Sequence, residues 1–82
     1  MDDNLKNIIK LAYAHSSSEA EYFVGRFVAD LHRGIDILHR ESLIAEEQQL
    51  LSLARKYEHD ADMRRNDINE IEWLLSNLRC GG

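Results

Sequence analysis

The feature that most constrains the fold is a ladder of apolar residues at seven-residue spacing, which changes phase once near Arg40. A seven-residue echo, Leu31 to Arg33 and Leu38 to Arg40, lies just before this change. Apolar residues at this spacing form one stripe on a helix, and that stripe is buried against other helices. The pattern therefore predicts an all-α protein, and it says little about chemistry.

The chain has 82 residues, which is enough for one domain, and we expect that domain to span residues 1–82. Single cores below about 70–80 residues seldom supply more than a few kcal/mol of stability. The single cysteine, Cys80, allows neither an internal disulfide nor a multi-cysteine zinc site. Regular helix packing or a partner chain must then stabilise the fold. We expect association, with a homodimer or higher oligomer as one form.

The composition excludes several classes of protein. The chain has no proline, four glycines and 30% charged residues, which is typical of helical proteins. Its net charge of −5 argues against general binding to nucleic-acid backbones. No apolar run approaches the length of about 18 residues that a membrane helix needs, and no stretch resembles a signal peptide. Together with the single thiol, this predicts a cytoplasmic protein without a membrane segment.

The periodicity predicts helices at about residues 3–15, 18–40 and 42–79. Serines at 16–18 interrupt the first pattern and provide candidates to cap the second helix. In an alternative, the last helix breaks near residues 60–66. The expected architecture is an antiparallel helical hairpin, or a small three- to four-helix bundle, with a long C-terminal helix.

The turn between the second and third helices is predicted from the change of phase. Beyond Leu38 the apolar ladder continues through Leu43 and Leu50, five residues out of step with the preceding stripe. At about 100° per residue, this offset turns the apolar face by about 140°. A straight helix would then present two opposed faces. We therefore expect a tight turn around residues 40–42, with Ser42 capping the third helix.

Helix two also carries a basic row, Arg26, Arg33 and Arg40, beside its apolar stripe. Such a row can form a charged rim with acidic groups, or it can contact phosphates. We favour the rim, because acidic residues follow on the antiparallel segment and no aromatic platform accompanies the row. Those acidic residues are Glu46, Glu47, Glu58, Asp60 and Asp62. A small nucleic-acid-binding regulator that uses the basic row is the alternative.

The sequence gives only weak evidence for catalytic or metal-binding groups. His32, Asp36 and His39 share one face of helix two, but their spacing matches no common zinc motif. The chain has neither a Gly-x-Ser-x-Gly motif nor a glycine-rich phosphate loop, and its size leaves little room for a substrate pocket. We therefore expect no enzyme activity, no cofactor and no bound metal.

The leading hypothesis about function rests on the apolar helix faces. We expect a small non-enzymatic protein-interaction module, of adaptor, inhibitor or chaperone type, which binds a protein partner or itself through these faces. Large apolar and aromatic side chains are the expected contacts, since tryptophan and tyrosine are enriched in interface hot spots. The expected contact residues are Phe27, Leu31, Ile71, Trp73 and Leu75. A purely structural coiled-coil oligomer is a further alternative.

Overall fold

The computed structural model describes residues 2–81 and confirms the all-α prediction with a long C-terminal helix. Helix α1 spans Asp3–His15, α2 spans Ser17–Glu47 and α3 spans Leu51–Arg79. The molecule is a rod of 50 × 19 × 18 Å. Its length comes from the antiparallel pair formed by α2 and α3, while α1 packs beside one end of that pair.

The three helices begin in different ways. At α1 the Asp2 carboxylate accepts a 3.1 Å hydrogen bond from the backbone N–H of Asn4. At α2 the Ser16 hydroxyl accepts a 3.4 Å hydrogen bond from the backbone N–H of Glu19. Such side-chain caps satisfy backbone donors that have no partner inside the helix. Leu50 precedes α3 and makes no capping side-chain hydrogen bond.

The turn between α2 and α3 occupies residues 48–50, so the prediction of a turn around residues 40–42 was wrong. Ser42 caps no helix and lies in the interior of α2, where it is 1% exposed. Its hydroxyl donates a 3.2 Å hydrogen bond to the backbone carbonyl of Ala54 on α3. Within the turn, Gln49 has a φ of 62°, a left-handed conformation that few residues other than glycine adopt.

Side-chain size explains the error. A stripe at alternating three- and four-residue spacing, here called the primary stripe, faces α3 over residues 24–45 of α2. It consists of Val24, Val28, Leu31, Ile35, Leu38, Ser42 and Ala45. Its last two members are small, and α3 carries the small buried residues Ala54 and Ala61 in the same half of the hairpin. The large side chain of Leu43 is instead 48% exposed. The buried face keeps its register although its hydrophobicity falls.

Helix α3 runs unbroken through residues 60–66, where the alternative prediction places a break. Its buried residues share the face toward α2 and α1, and they are Ala54, Ala61, Ile68, Ile71, Leu74 and Leu75. Five of the six separate into two clusters, and Ala54 belongs to neither. One contains Ile9 of α1, and the other contains Ile35 of α2 and includes no residue of α1.

Helix α1 runs parallel to α3 and fills one side of the hairpin near its open end. Lys6 Nζ lies 3.4 Å from a carboxylate oxygen of Glu70. One turn later, Lys10 lines the same groove as Asn77. Because α1 has 13 residues and α2 has 31, a third helix covers only part of the hairpin. The molecule therefore has a three-helix half and, toward the turn, a two-helix half.

Candidate interaction surface

A second row of residues runs along α2 beside the primary stripe. The second row keeps the same alternating spacing and consists of Ala20, Phe23, Phe27, Asp30, Gly34, Ile37, Glu41 and Ile44. Two adjacent rows at this spacing are typical of a helix that packs against two neighbouring helices. Helix α3 covers the primary stripe, and α1 covers one end of the second row.

The second row is covered only in part, and its Phe23 is 56% exposed although it lies in the three-helix half. Ala20 is 2% exposed, and Phe27 packs against the core cluster that contains Ile9. Ile37 and Ile44, in contrast, are 56% and 43% exposed. The two isoleucines are seven residues apart, so they lie on the same side of α2. They form an apolar surface that α1 is too short to reach.

The α3 side of this uncovered region is partly apolar. Leu53 and Met63 are 39% and 55% exposed. Leu53, Asp60, Asp67 and Leu74 recur every seven residues, and Leu74 belongs to the cluster that packs against α1. Leu53 therefore lies on the side of the hairpin that α1 occupies farther along. We call the region formed by Ile37, Glu41 and Ile44 of α2 with Leu53 and Met63 of α3 the open face.

Arg64 places a positive charge at the edge of the open face. A Cβ atom at Gly34 would lie 3.3 Å from Arg64 Nε, so the arginine side chain packs where the second row has no side chain. The Nε atom is buried and has no hydrogen-bond partner among residues 2–81. The outer part of the Arg64 side chain, from Cδ to Cζ, thus fills the space that the glycine leaves.

The five residues predicted to contact a partner lie in three different environments. Ile71 and Leu75 are core residues, 0% and 7% exposed. Phe27 and Leu31 are partly buried and pack against the same core. Trp73 alone of these five has most of its surface, 69%, in solvent. Replacing Ile71 or Leu75 would thus damage the core before it reported on binding.

Two further exposed aromatic regions lie in the three-helix half. Trp73 borders a shallow groove with Lys10 and Leu78, between α1 and α3. On α2, Tyr22 is 69% exposed, and the guanidinium of Arg26 lies 6.0 Å from the centre of its ring. At this distance the cation and the ring attract each other weakly in solvent.

The basic row lies on the exposed outer side of α2, but its three arginines have different surroundings. Arg26 lies over Tyr22, and Arg33 forms a 2.8 Å ion pair with Asp30 of its own helix. Arg40 forms no ion pair within the part of the chain that the structure describes. The row is therefore partly neutralised within α2 itself, without the acidic groups of the following segment.

Two of those acidic groups have other partners. Glu58 Oε1 lies 3.4 Å from His39 Nδ1, across the hairpin. Asp62 pairs with Arg65 of its own helix at 2.6 Å. These groups are exposed, and exposed ion pairs contribute only about 0–1 kcal/mol each. The His39–Glu58 pair, which crosses the hairpin, orients the two helices more than it stabilises them.

Among residues 2–81, the shortest ion pair between helices joins Glu21 and Arg79 at the open end of the hairpin. Both nitrogen-to-oxygen distances are 2.6 Å, so the guanidinium and the carboxylate meet through two parallel hydrogen bonds. These hydrogen bonds hold the pKa of Glu21 below its ordinary value and raise the pKa of Arg79. The pair links the start of α2 to the end of α3.

The described residues contain no cluster of three or more His, Cys, Asp or Glu side chains that could hold a metal ion. His32, Asp36 and His39 are exposed on α2. None of the helices in residues 2–81 is both long and apolar enough to cross a bilayer. Comparison with protein-family models, curated proteins and solved structures finds no match to this chain. Function is therefore inferred from the geometry of the open face.

Proposed function

We propose that this protein is a non-enzymatic interaction module that binds an α-helix of a protein partner on its open face. The observation that carries the proposal is the exposure of Ile37 and Ile44, 56% and 43%, on a side of α2 that no third helix covers in the two-helix half. Exposed apolar side chains that adjoin one another mark interaction surfaces. Here the two isoleucines lie two turns apart on one side of α2, and they continue a row in which Ala20 is buried and Phe27 packs against the core.

The packing of helix α1 indicates that the expected ligand is also a helix. In the three-helix half it lies between α2 and α3 and buries Ile9, which is 2% exposed. A second helix placed in line with α1 would extend the same packing over the two-helix half. From Gly34 to Glu47, α2 covers about 20 Å at about 1.5 Å per residue. A partner helix of about four turns matches that length.

The charges around the open face suit a partner with charges of both signs. Glu41 lies between the two exposed isoleucines, and Asp60 lies on the α3 side. Lys56 and Arg64 supply positive charge on the same helix. In such helix-in-groove contacts the apolar row supplies affinity, and the rim charges set the orientation of the partner.

The surroundings of the basic row favour a protein partner over a nucleic acid. Arg33 is paired with Asp30, and Arg26 lies over Tyr22. The whole chain has a net charge of −5, which repels a phosphate backbone. Arg40 stands beside Glu41 and the open face, where it can contact a protein.

Photo-crosslinking in the cells that make the protein tests this proposal. A benzophenone amino acid replaces Ile44 on the open face or, as the matched control, the exposed His32 outside it. We expect a discrete crosslinked adduct from position 44 and none from position 32. Adding Ile37→Lys to the position-44 protein should remove the adduct, while circular dichroism shows the helices intact. An adduct that is equally strong from position 32, or that survives Ile37→Lys, would refute the proposal.

A further inference from the structure

We propose that a groove between α2 and α3 in the three-helix half binds a lysine side chain of a protein partner. The groove has a volume of about 470 Å³ and lies around Gly25 of α2 and Glu72 of α3. We call it the Gly25 groove. Of the residues that the structure describes, those that line it come from α2 and α3 alone, and none belongs to the open face. This inference and the proposed function can therefore fail independently of each other.

Gly25 leaves a space in α2 that packing within the chain does not use. A glycine in the interior of a helix destabilises it relative to alanine. At Gly34 the structure gives a reason for the glycine, because an added Cβ atom would lie 3.3 Å from Arg64 Nε. At Gly25 an added Cβ atom would meet nothing within 4 Å, so no contact among residues 2–81 requires a glycine there. The missing side chain instead lets a ligand in the groove approach the α2 backbone.

The floor of the Gly25 groove is apolar. Val24 and Leu75 line it and are only 1% and 7% exposed. Val28, which is partly buried, lines it as well and packs against the same core cluster. The methylene stem of a lysine can lie along such a floor while its ammonium group stays at the solvated rim. The floor therefore favours a ligand with an aliphatic stem.

The rim of the groove supplies one carboxylate for a cation. Glu21 accepts two hydrogen bonds of 2.6 Å from Arg79, so these two charges neutralise each other. Glu72 is exposed and forms no ion pair within residues 2–81. One unpaired carboxylate beside an apolar floor is complementary to a single ammonium group at the end of an aliphatic stem. A lysine side chain has this form, whereas a polyamine carries several positive charges.

The lysine must come from outside the chain. The structure describes all three lysines of the chain, and Lys6, Lys10 and Lys56 do not line the Gly25 groove. Lys6 lies beside Glu70, and Lys10 lines the groove that Trp73 borders, between α1 and α3. A lysine on the surface of a partner protein can place its stem on the apolar floor and its ammonium group at Glu72.

Nuclear magnetic resonance tests the site with N-acetyl-lysine methylamide, a probe that carries only the side-chain charge. As this probe is added to the whole chain, the amide signals of Gly25 and Ser76 should shift and approach saturation. N-acetyl-norleucine methylamide has the same stem without the ammonium group, and it should bind about threefold or more weakly. Equal binding of the two probes, or no localised shift up to the solubility limit of the lysine probe, would overturn the proposal.

Two variants test the groove itself. Gly25→Leu fills the open space without a clash, so it should abolish the shift at Ser76 while circular dichroism shows the helices intact. Glu72→Gln should weaken binding of the lysine probe by about threefold. Glu47→Gln is the matched control, because it changes the net charge by the same amount at an exposed residue outside the groove. Equal affinities of the two glutamine variants, or binding that survives Gly25→Leu, would contradict the assignment.

Photo-crosslinking in the cells that make the protein tests whether the lysine belongs to a protein. A benzophenone amino acid replaces Asn69, which is exposed one turn before Glu72 and borders the groove without filling it. We expect a discrete adduct that Gly25→Leu removes. Its absence, with the shifts from the lysine probe present, would overturn the protein partner and assign the groove to a small alkylammonium compound. Neither result bears on an adduct from position 44, which reports on the open face.

Discussion

The hydroxyl of Ser42 on α2 donates a 3.2 Å hydrogen bond to the backbone carbonyl oxygen of Ala54 on α3. Ser42 is 1% exposed, so this bond crosses a close helix contact without water. The position needs a side chain small enough for the two backbones to approach. It lies five residues before α2 ends at Glu47, so it sets the spacing of the hairpin near its turn.

Substitutions at Ser42 should separate size from hydrogen bonding. Ser42→Leu should destabilise the fold by about 1–3 kcal/mol, because the larger side chain pushes the two helices apart. Ser42→Ala keeps the close approach and loses one hydrogen bond, so its cost should be about 0.5–1.5 kcal/mol. Urea unfolding followed by circular dichroism, at one protein concentration, measures both. Equal costs for the two variants would show that helix spacing is not the constraint.

The three helices could be predicted from the sequence because apolar spacing is strong where the side chains are large. The turn between α2 and α3 could not be predicted, because the hydrophobic residues near it are not the buried ones. Ser42 and Ala45 are buried and small, while Leu43 and Leu50 are apolar and exposed. A periodicity argument weighs hydrophobicity and has no measure of the distance between helix axes.

The sequence indicated apolar helix faces as the site, but it did not indicate which part of them stays open. Trp73 is mostly exposed, whereas two of the other predicted contacts are core residues. Gly34 and Glu41 interrupt the second row, so it does not stand out as an apolar stripe. Its spacing from Ala20 to Ile44 is the signal that could have found it. Helix α1 leaves one end of the row uncovered. This depends on the tertiary structure and cannot be read from the sequence of α2 alone.

The two glycines inside α2 should respond differently to alanine. A Cβ atom at Gly25 would meet nothing within 4 Å, so Gly25→Ala should stabilise the fold by about 0.5–1 kcal/mol through the lower entropy of the unfolded chain. At Gly34 the added Cβ would lie 3.3 Å from Arg64 Nε, and the arginine must shift. The gain in stability from Gly34→Ala should therefore be smaller than that from Gly25→Ala. Thermal unfolding of both variants checks this, and an equal gain at Gly34 would contradict the packing of Arg64.

The Glu21–Arg79 pair should make part of the stability depend on acidity. Hydrogen bonds from Arg79 hold the pKa of folded Glu21 below the ordinary value of 4.5, to which it returns on unfolding. A carboxyl group with a lowered pKa in the folded state stabilises the fold above its unfolded pKa. That contribution is lost as the pH falls through the lower, folded-state value. The pair should thus be fully effective near neutral pH and lost in strong acid.

Glu21→Gln tests this dependence. The melting temperature of the variant should lie below that of the original chain above pH 4.5, and the two should converge as the solution becomes more acidic. Glu47→Gln is the matched control, since Glu47 is exposed at the end of α2 and forms no ion pair within residues 2–81. Its melting temperature should show no comparable fall above pH 4.5. A constant difference for Glu21→Gln across the whole pH range would mean that the pair does not titrate as described.

Neighbouring isoleucines of α1 give the clearest contrast in packing. Ile9 is 2% exposed within a cluster of large residues from all three helices, whereas Ile8 is 55% exposed. Ile9→Ala should cost about 2–5 kcal/mol, because it removes buried methyl groups and leaves a cavity. Since cores of this size supply only a few kcal/mol, much of that variant should be unfolded at room temperature. Ile8→Ala should change the unfolding free energy by about 0.5 kcal/mol or less. Circular dichroism and urea unfolding of the two proteins test this prediction. Similar losses of stability at both positions would mean that α1 does not pack through Ile9.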